Sequence, residues 1–204
     1  MTLNIERVIA KELDARETQI TAAVELLDSG ATVPFISRYR KEITGGLDDT
    51  QLRKLEERLG YLRELEVRRE AVLSSILEQG KLTPELEVAI IAAETKVRLE
   101  DLYLPYKQKR RTKAQIALEA GIEPLADSLI SDPCLEPFDE ALAYINKDEK
   151  FKTAFEDAKG VLDGAKYILM ERFAEDAELL QSIRDFMSHN TVIFSNVVSG
   201  KEKD

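Results

Sequence analysis

The chain has 204 residues, 44% of them hydrophobic and 33% charged, with a formal net charge of −10. That length holds one large domain or two small ones, and the composition is that of a globular chain with a high charge content. The acidic balance excludes a domain that attracts nucleic acid through its overall field, so any such contact must come from a local patch. Nine glycines and six prolines leave few breaks, which favours long helices over many short strands. Cys134 is the only cysteine, so there is no internal disulfide, and a lone thiol suits a reducing cytoplasm. The opening residues lack the apolar run of a signal peptide and no window of about 18 apolar residues exists, so neither secretion nor a membrane span is expected.

Residues 1–45 predict three short helices. Ile5, Val8, Ile9 and Leu13 share one helical face; Ile20, Ala23, Val24 and Leu27 repeat the spacing, with Gly30 placed as the left-handed cap. Pro34 suits the first turn of a third helix through Phe35, Ile36 and Tyr39, which Thr44, Gly45 and Gly46 break. Asp48 or Asp49 caps a long helix over 50–79, roughly 45 Å at 1.5 Å per residue. Its apolar face runs through Leu52, Leu55, Leu59 and Leu62, becomes irregular, and resumes at Val72, Leu73, Ile76 and Leu77. The irregularity argues against a coiled-coil dimer. Glu64 and Arg68 are spaced as an outward i,i+4 pair, and Gly60 in mid-helix predicts a closely packed neighbour.

Gly80 stops that helix. Thr83, Pro84 and Glu85 start another, with Leu86, Ile90 and Ile91 apolar. Thr95 caps a helix with Val97, Leu99 and Leu102 inward, ended by Leu104, Pro105 and Tyr106. After the basic segment 107–113, Thr112 caps a short helix closed by Gly121, and Pro124 starts the next, with Leu125, Leu129 and Ile130. A turn over 132–137 precedes helices over 138–145, 151–159, 161–173 and 176–187. Residues 191–198 are β-branched like a lone strand, which needs partners that this chain does not offer. The fold class is therefore all-α, an irregular multi-helix array with one long central helix. Residues 1–190 form the helical region (1–45, 49–80 and 83–188), and 191–204 read as the truncated start of a following region.

Catalytic chemistry is hard to find. His189 is the only histidine and reads as a solvated helix-end residue, and Cys134 as a small buried apolar side chain rather than a nucleophile. Gly45-Gly46 lacks the lysine and preceding strand of a phosphate loop. No His/Cys spacing suits zinc, and Asp48-Asp49 are better explained as caps than as a catalytic pair. No enzyme activity, metal or cofactor is expected.

Two basic clusters remain. Arg38, Arg40 and Lys41 flank Tyr39. Lys107, Lys109, Arg110, Arg111 and Lys113 follow Tyr103 and Tyr106, with no acid among residues 107–113. The second is the stronger candidate for a phosphate backbone, with the tyrosines placed to stack on bases. The alternative is that these cations pair with acids of neighbouring helices or of a partner domain. Freely exposed cations at 107–113 favour nucleic acid, and paired ones favour a scaffold.

Three segments are more specific. Val33-Pro34-Phe35-Ile36-Ser37-Arg38-Tyr39-Arg40-Lys41-Glu42 with Thr44-Gly45-Gly46-Leu47-Asp48-Asp49 is the first. Leu99-Glu100-Asp101-Leu102-Tyr103-Leu104-Pro105-Tyr106-Lys107 with Lys109-Arg110-Arg111-Thr112-Lys113-Ala114 is the second, and Gly121-Ile122-Glu123-Pro124-Leu125-Ala126 the third. Together they resemble the Tex family of bacterial transcription accessory proteins, strongest over 33–126 and loosest over 131–160. The resemblance implies a cytoplasmic factor related to a eukaryotic elongation factor. It implies an N-terminal helical region with a helix-turn-helix-like part, followed by an RNase H-like domain, helix-hairpin-helix elements and an RNA-binding OB-type barrel. The expected function is a non-catalytic, nucleic-acid-associated scaffold, binding RNA or DNA weakly as a monomer. The runner-up is a protein-interaction module that docks the other Tex domains or the transcription machinery.

Overall fold

The apolar spacing after Asp48 is realised as a thirty-residue helix, and the helices within residues 5–39 and 84–92 pack along it. The computed structural model describes residues 4–107, 110–145 and 150–200. Among them the chain is helical, with no strand: α1 (Ile5–Glu12), α2 (Glu17–Asp28), α3 (Val33–Tyr39), α4 (Asp49–Glu78), α5 (Pro84–Ala92), α6 (Lys96–Tyr103), α7 (Lys113–Glu119), α8 (Glu123–Ser131), α9 (Pro137–Leu142), α10 (Lys152–Phe155), α11 (Ala158–Glu175) and α12 (Ala177–Asn190). A single 3-10 turn, Leu104–Tyr106, ends α6. The chain divides into two compact units, Met1–Leu99 and Glu100–Asp204.

In the first unit α1, α2, α3 and α5 all pack on α4. Asp48 accepts from the Gln51 amide at 2.8 Å while Gln51 accepts from that of Asp48 at 3.1 Å, a reciprocal cap that pins the start of α4. The buried face runs Leu52, Leu55, Leu59, Leu62, Leu65, Arg69, Val72 and Ile76. The stripe is thus continuous, and it passes through an arginine. Arg69 is 4% exposed, donates to the Ala93 carbonyl at 2.6 Å and pairs with Glu66 at 2.8 Å. Glu64 meets Lys96 rather than simply lining the outer face of its own helix. Gly60 is exposed, with nothing within 4 Å of where a Cβ would stand. The closely packed neighbour expected there is absent, because residue 60 lies off the buried stripe.

In the second unit α7, α8, α9, α10 and α12 gather on α11. The core holds Ala117, Ile122, Leu125, Val161 and Ile168. Close packing of α7 on α11 needs a small residue at Gly164, where an added Cβ would meet Ile122, Phe155 and Ala117 at 3.0–3.3 Å. Arg184 of α12 pairs with the buried Asp101 at 2.6 Å.

Four further expectations are corrected. Val97 is exposed, because Leu99 takes the inward position of α6. Cys134 is exposed: it lies in the turn after α8, where its amide donates to Asp132 at 2.9 Å. The helix expected over 151–159 is only the single turn of α10, ended before Asp157 caps α11 through the Gly160 amide. Residues 191–198 form no strand, and Val192, Ile193, Phe194, Val197 and Val198 are all exposed, since no second strand among the described residues offers a ladder.

Candidate nucleic-acid interface

The first basic cluster sits on a rigid corner. Val33 and Ile36 anchor α3 by burial, and Leu47 buries just beyond it. The chain arrives through a tight turn in which Gly30 takes φ +89°, and its amide and that of Ala31 donate back to Leu27 and Leu26. It leaves through a loop braced from two sides. The buried Thr44 hydroxyl reaches the Arg40 and Lys41 carbonyls, and the Gln19 amide donates to the Thr44 and Gly45 carbonyls at 3.2 and 2.9 Å. Gly46 takes φ +93° and its amide donates to the Lys41 carbonyl at 2.9 Å.

On this frame Arg38, Arg40 and Lys41 all point to solvent. Among the described residues none of the three is in an ion pair. Two rings accompany them. Phe35 and Tyr39 stand four residues apart with centroids 5.5 Å apart, Arg38 lies 6.0 Å from the Tyr39 ring, and Arg40 lies 5.3 Å from the Phe35 ring. In the sequence only Tyr39 stands out as an aromatic member of this cluster. Phe35 is the residue that the sequence reading missed, although its i,i+4 spacing to Tyr39 carries the signal.

The second cluster is divided in its roles. Lys107 and Arg110 are exposed, and among the described residues neither is ion-paired. Lys109 lies outside the described residues. Arg111 is taken by Glu119 at 2.6 Å, and Lys150 reaches the same carboxylate at 3.1 Å. These contacts hold the Glu119 carboxyl below the usual glutamate range, first through Arg111 and then through Lys150. Lys113 lies over the Tyr167 ring at 4.9 Å and reaches its hydroxyl at 3.3 Å. Thr112 caps α7 and also donates to Glu171 at 2.9 Å. Two of the five cations therefore fasten their segment to α7 and α11, leaving fewer for a ligand.

Elsewhere, a groove of about 590 Å³ lined by Val8, Lys11, Glu12, Arg58 and Glu94 has its Arg58 held by Glu12 at 2.8 Å. Among the described residues no group of three or more His, Cys, Asp or Glu is placed to hold a metal, and no helix is long and apolar enough to cross a membrane. His189 stands exposed at the end of α12, its Nδ1 2.7 Å from the Asp185 carbonyl.

Fold and site together define an all-helical module with a cationic, aromatic corner on an acidic body. Comparison with known proteins agrees with the resemblance in the sequence. Residues 3–77 match the Tex-like protein N-terminal domain and residues 132–204 match the Tex central region-like family. The chain is 62% identical over 198 residues to "Protein YhgF" of Escherichia coli, covering 97% of this chain and 25% of that protein. It is 57% identical over 202 residues to "Transcriptional accessory protein Tex" of Neisseria gonorrhoeae, covering 99% and 26%. It is 30% identical over 193 residues to "S1 RNA-binding domain-containing protein 1" of Pongo abelii, covering 94% and 19%. The chain belongs to the Tex family, and it spans about a quarter of the length of the bacterial relatives it matches.

Proposed function

We propose that this chain is a non-catalytic, nucleic-acid-associated module of a cytoplasmic transcription accessory protein. It contributes weak, sequence-independent contacts that the other domains of such a protein add to. The observation that carries this is the set of exposed cations outside any described ion pair, Arg38, Arg40, Lys41, Lys107 and Arg110, on a chain whose net charge is −10. Clustered cations release counterions from a phosphate backbone whatever its base sequence, while the surrounding acids hold the affinity down. Similarity to proteins named for transcriptional accessory function and for an S1 RNA-binding domain supports the same reading. The test is titration of a labelled oligonucleotide with the monomeric chain at several salt concentrations. Binding that appears at low salt and fades with a linear log–log slope supports it; no binding at the lowest salt refutes it.

A second reading, docking of protein partners, is favoured by a different observation. Helix α12 buries no residue, yet Ile183, Phe186 and Met187 are exposed on it, and the apolar 191–198 segment follows. Exposed apolar surface of that extent marks contact sites. If Phe186→Ser and Met187→Ser leave oligonucleotide binding unchanged but abolish association with another Tex segment, docking is the role of this surface.

A further inference from the structure

We propose that the α3 corner is a stacking site for unpaired bases of a single strand, with Phe35 and Tyr39 as the ring contacts and Arg38, Arg40 and Lys41 on the flanking phosphates. This rests on the nucleic-acid reading above and goes beyond it, by naming the strand state of the ligand and two uncharged residues that would select it.

Helix α3 buries Val33 and Ile36 but leaves Phe35 41% and Tyr39 56% exposed. Two neighbouring rings held in water are costly for a helix that already has its buried anchors, and nothing in the core requires them. Their arrangement is specific: tilted by 46°, with one guanidinium near each ring. A flat ring beside a flat cation offers a base two surfaces of matching shape, and the same cation stands close enough to a stacked base to meet its phosphate.

The geometry favours a single strand over a duplex. A duplex hides its base faces inside the stack and offers only edges and phosphates. It would use the three cations and leave both rings in solvent. A single strand presents faces and phosphates together, so it alone covers the rings. An acidic peptide would satisfy the charge but offers no regular succession of planar faces. The corner is also preorganised: Thr44 and Gln19 brace the loop after α3, so little ordering is needed on binding.

The test is fluorescence anisotropy of the 204-residue chain with a labelled mixed-sequence single strand, its duplex, and a poly-glutamate peptide, all at low salt. The single strand is expected to bind more tightly than the duplex. Phe35→Leu/Tyr39→Leu should weaken single-strand binding about tenfold without changing the salt slope, because rings release no counterions. Arg38→Gln/Arg40→Gln should flatten the slope. Tyr39→Phe, which keeps the ring, should retain the parental affinity, so a ring effect is separable from damage to the fold. If the duplex binds as tightly as the single strand, or the double leucine variant keeps parental affinity, stacking is wrong while the charge-based reading stands. If only the peptide binds, or nothing does, both are wrong.

Discussion

Arg111 donates to Glu119 at 2.6 Å, and Lys150 joins the same carboxylate at 3.1 Å. Arg111, within the most basic stretch of the chain, and Lys150 thus share an internal bridge. Glu119→Gln should release Arg111, tightening single-strand binding at low salt and steepening the log–log salt slope by about 0.7 for the one phosphate gained. An unchanged slope in a salt series would show that Arg111 is held by something other than Glu119.

The same bridge predicts a pH dependence. Arg111 and then Lys150 depress the Glu119 pKa, so its stabilising effect is present at neutral pH and is lost as pH falls through the folded-state value. Thermal melts of parent and Glu119→Gln should differ at neutral pH, the parent higher, and converge below the usual glutamate range. Melting curves that stay equally far apart in acid would contradict the assignment.

The glycines of α4 and α11 should respond in opposite directions. Gly60 has open space where a Cβ would go, so Gly60→Ala should stabilise by about 0.5–1 kcal/mol through helix propensity. At Gly160 a Cβ would stand 2.3 Å from the Ala154 carbonyl oxygen, and Gly160→Ala should destabilise by about 1–3 kcal/mol. Urea unfolding followed by circular dichroism reads both. A destabilised Gly60→Ala would mean that this face of α4 is covered.

Buried Arg69 makes a sharper demand. Arg69→Met strands Glu66 and leaves the Ala93 carbonyl without its donor, and should cost about 3–5 kcal/mol. Adding Glu66→Leu should recover part of this. A single variant as stable as the parent in urea would show that the pair contributes nothing.

Helix ends were readable in the sequence because caps are local: Asp48, Thr83 and Thr112 each accept from the amide three residues on, and glycines 30, 80 and 121 end the helices before them. The apolar faces were readable where every member is apolar. The stripe of α4 looked broken between Leu62 and Val72 because one of its members, Arg69, is a cation neutralised by a partner within its own helix and a carbonyl 24 residues away. The two basic clusters were legible as clusters, but the pairing of their cations was not. Which cations are paired depends on contacts across 8 residues for Arg111–Glu119 and 54 for Lys113–Tyr167, and no local pattern encodes them. Cys134 and Val97 failed for the same reason: apolar character says that a residue can be buried, and the neighbouring elements decide whether it is.

The salt slope of the Arg38→Gln/Arg40→Gln/Lys41→Gln variant tests the account most directly. If these three cations meet phosphates of a single strand, the parent's log–log slope should flatten by about 2, three contacts at about 0.7 each, with an unchanged helical spectrum. Lys107→Gln/Arg110→Gln should flatten it by a smaller amount. A slope that stays at the parental value in the triple variant, with the helices intact, would contradict the assignment of this corner to nucleic acid.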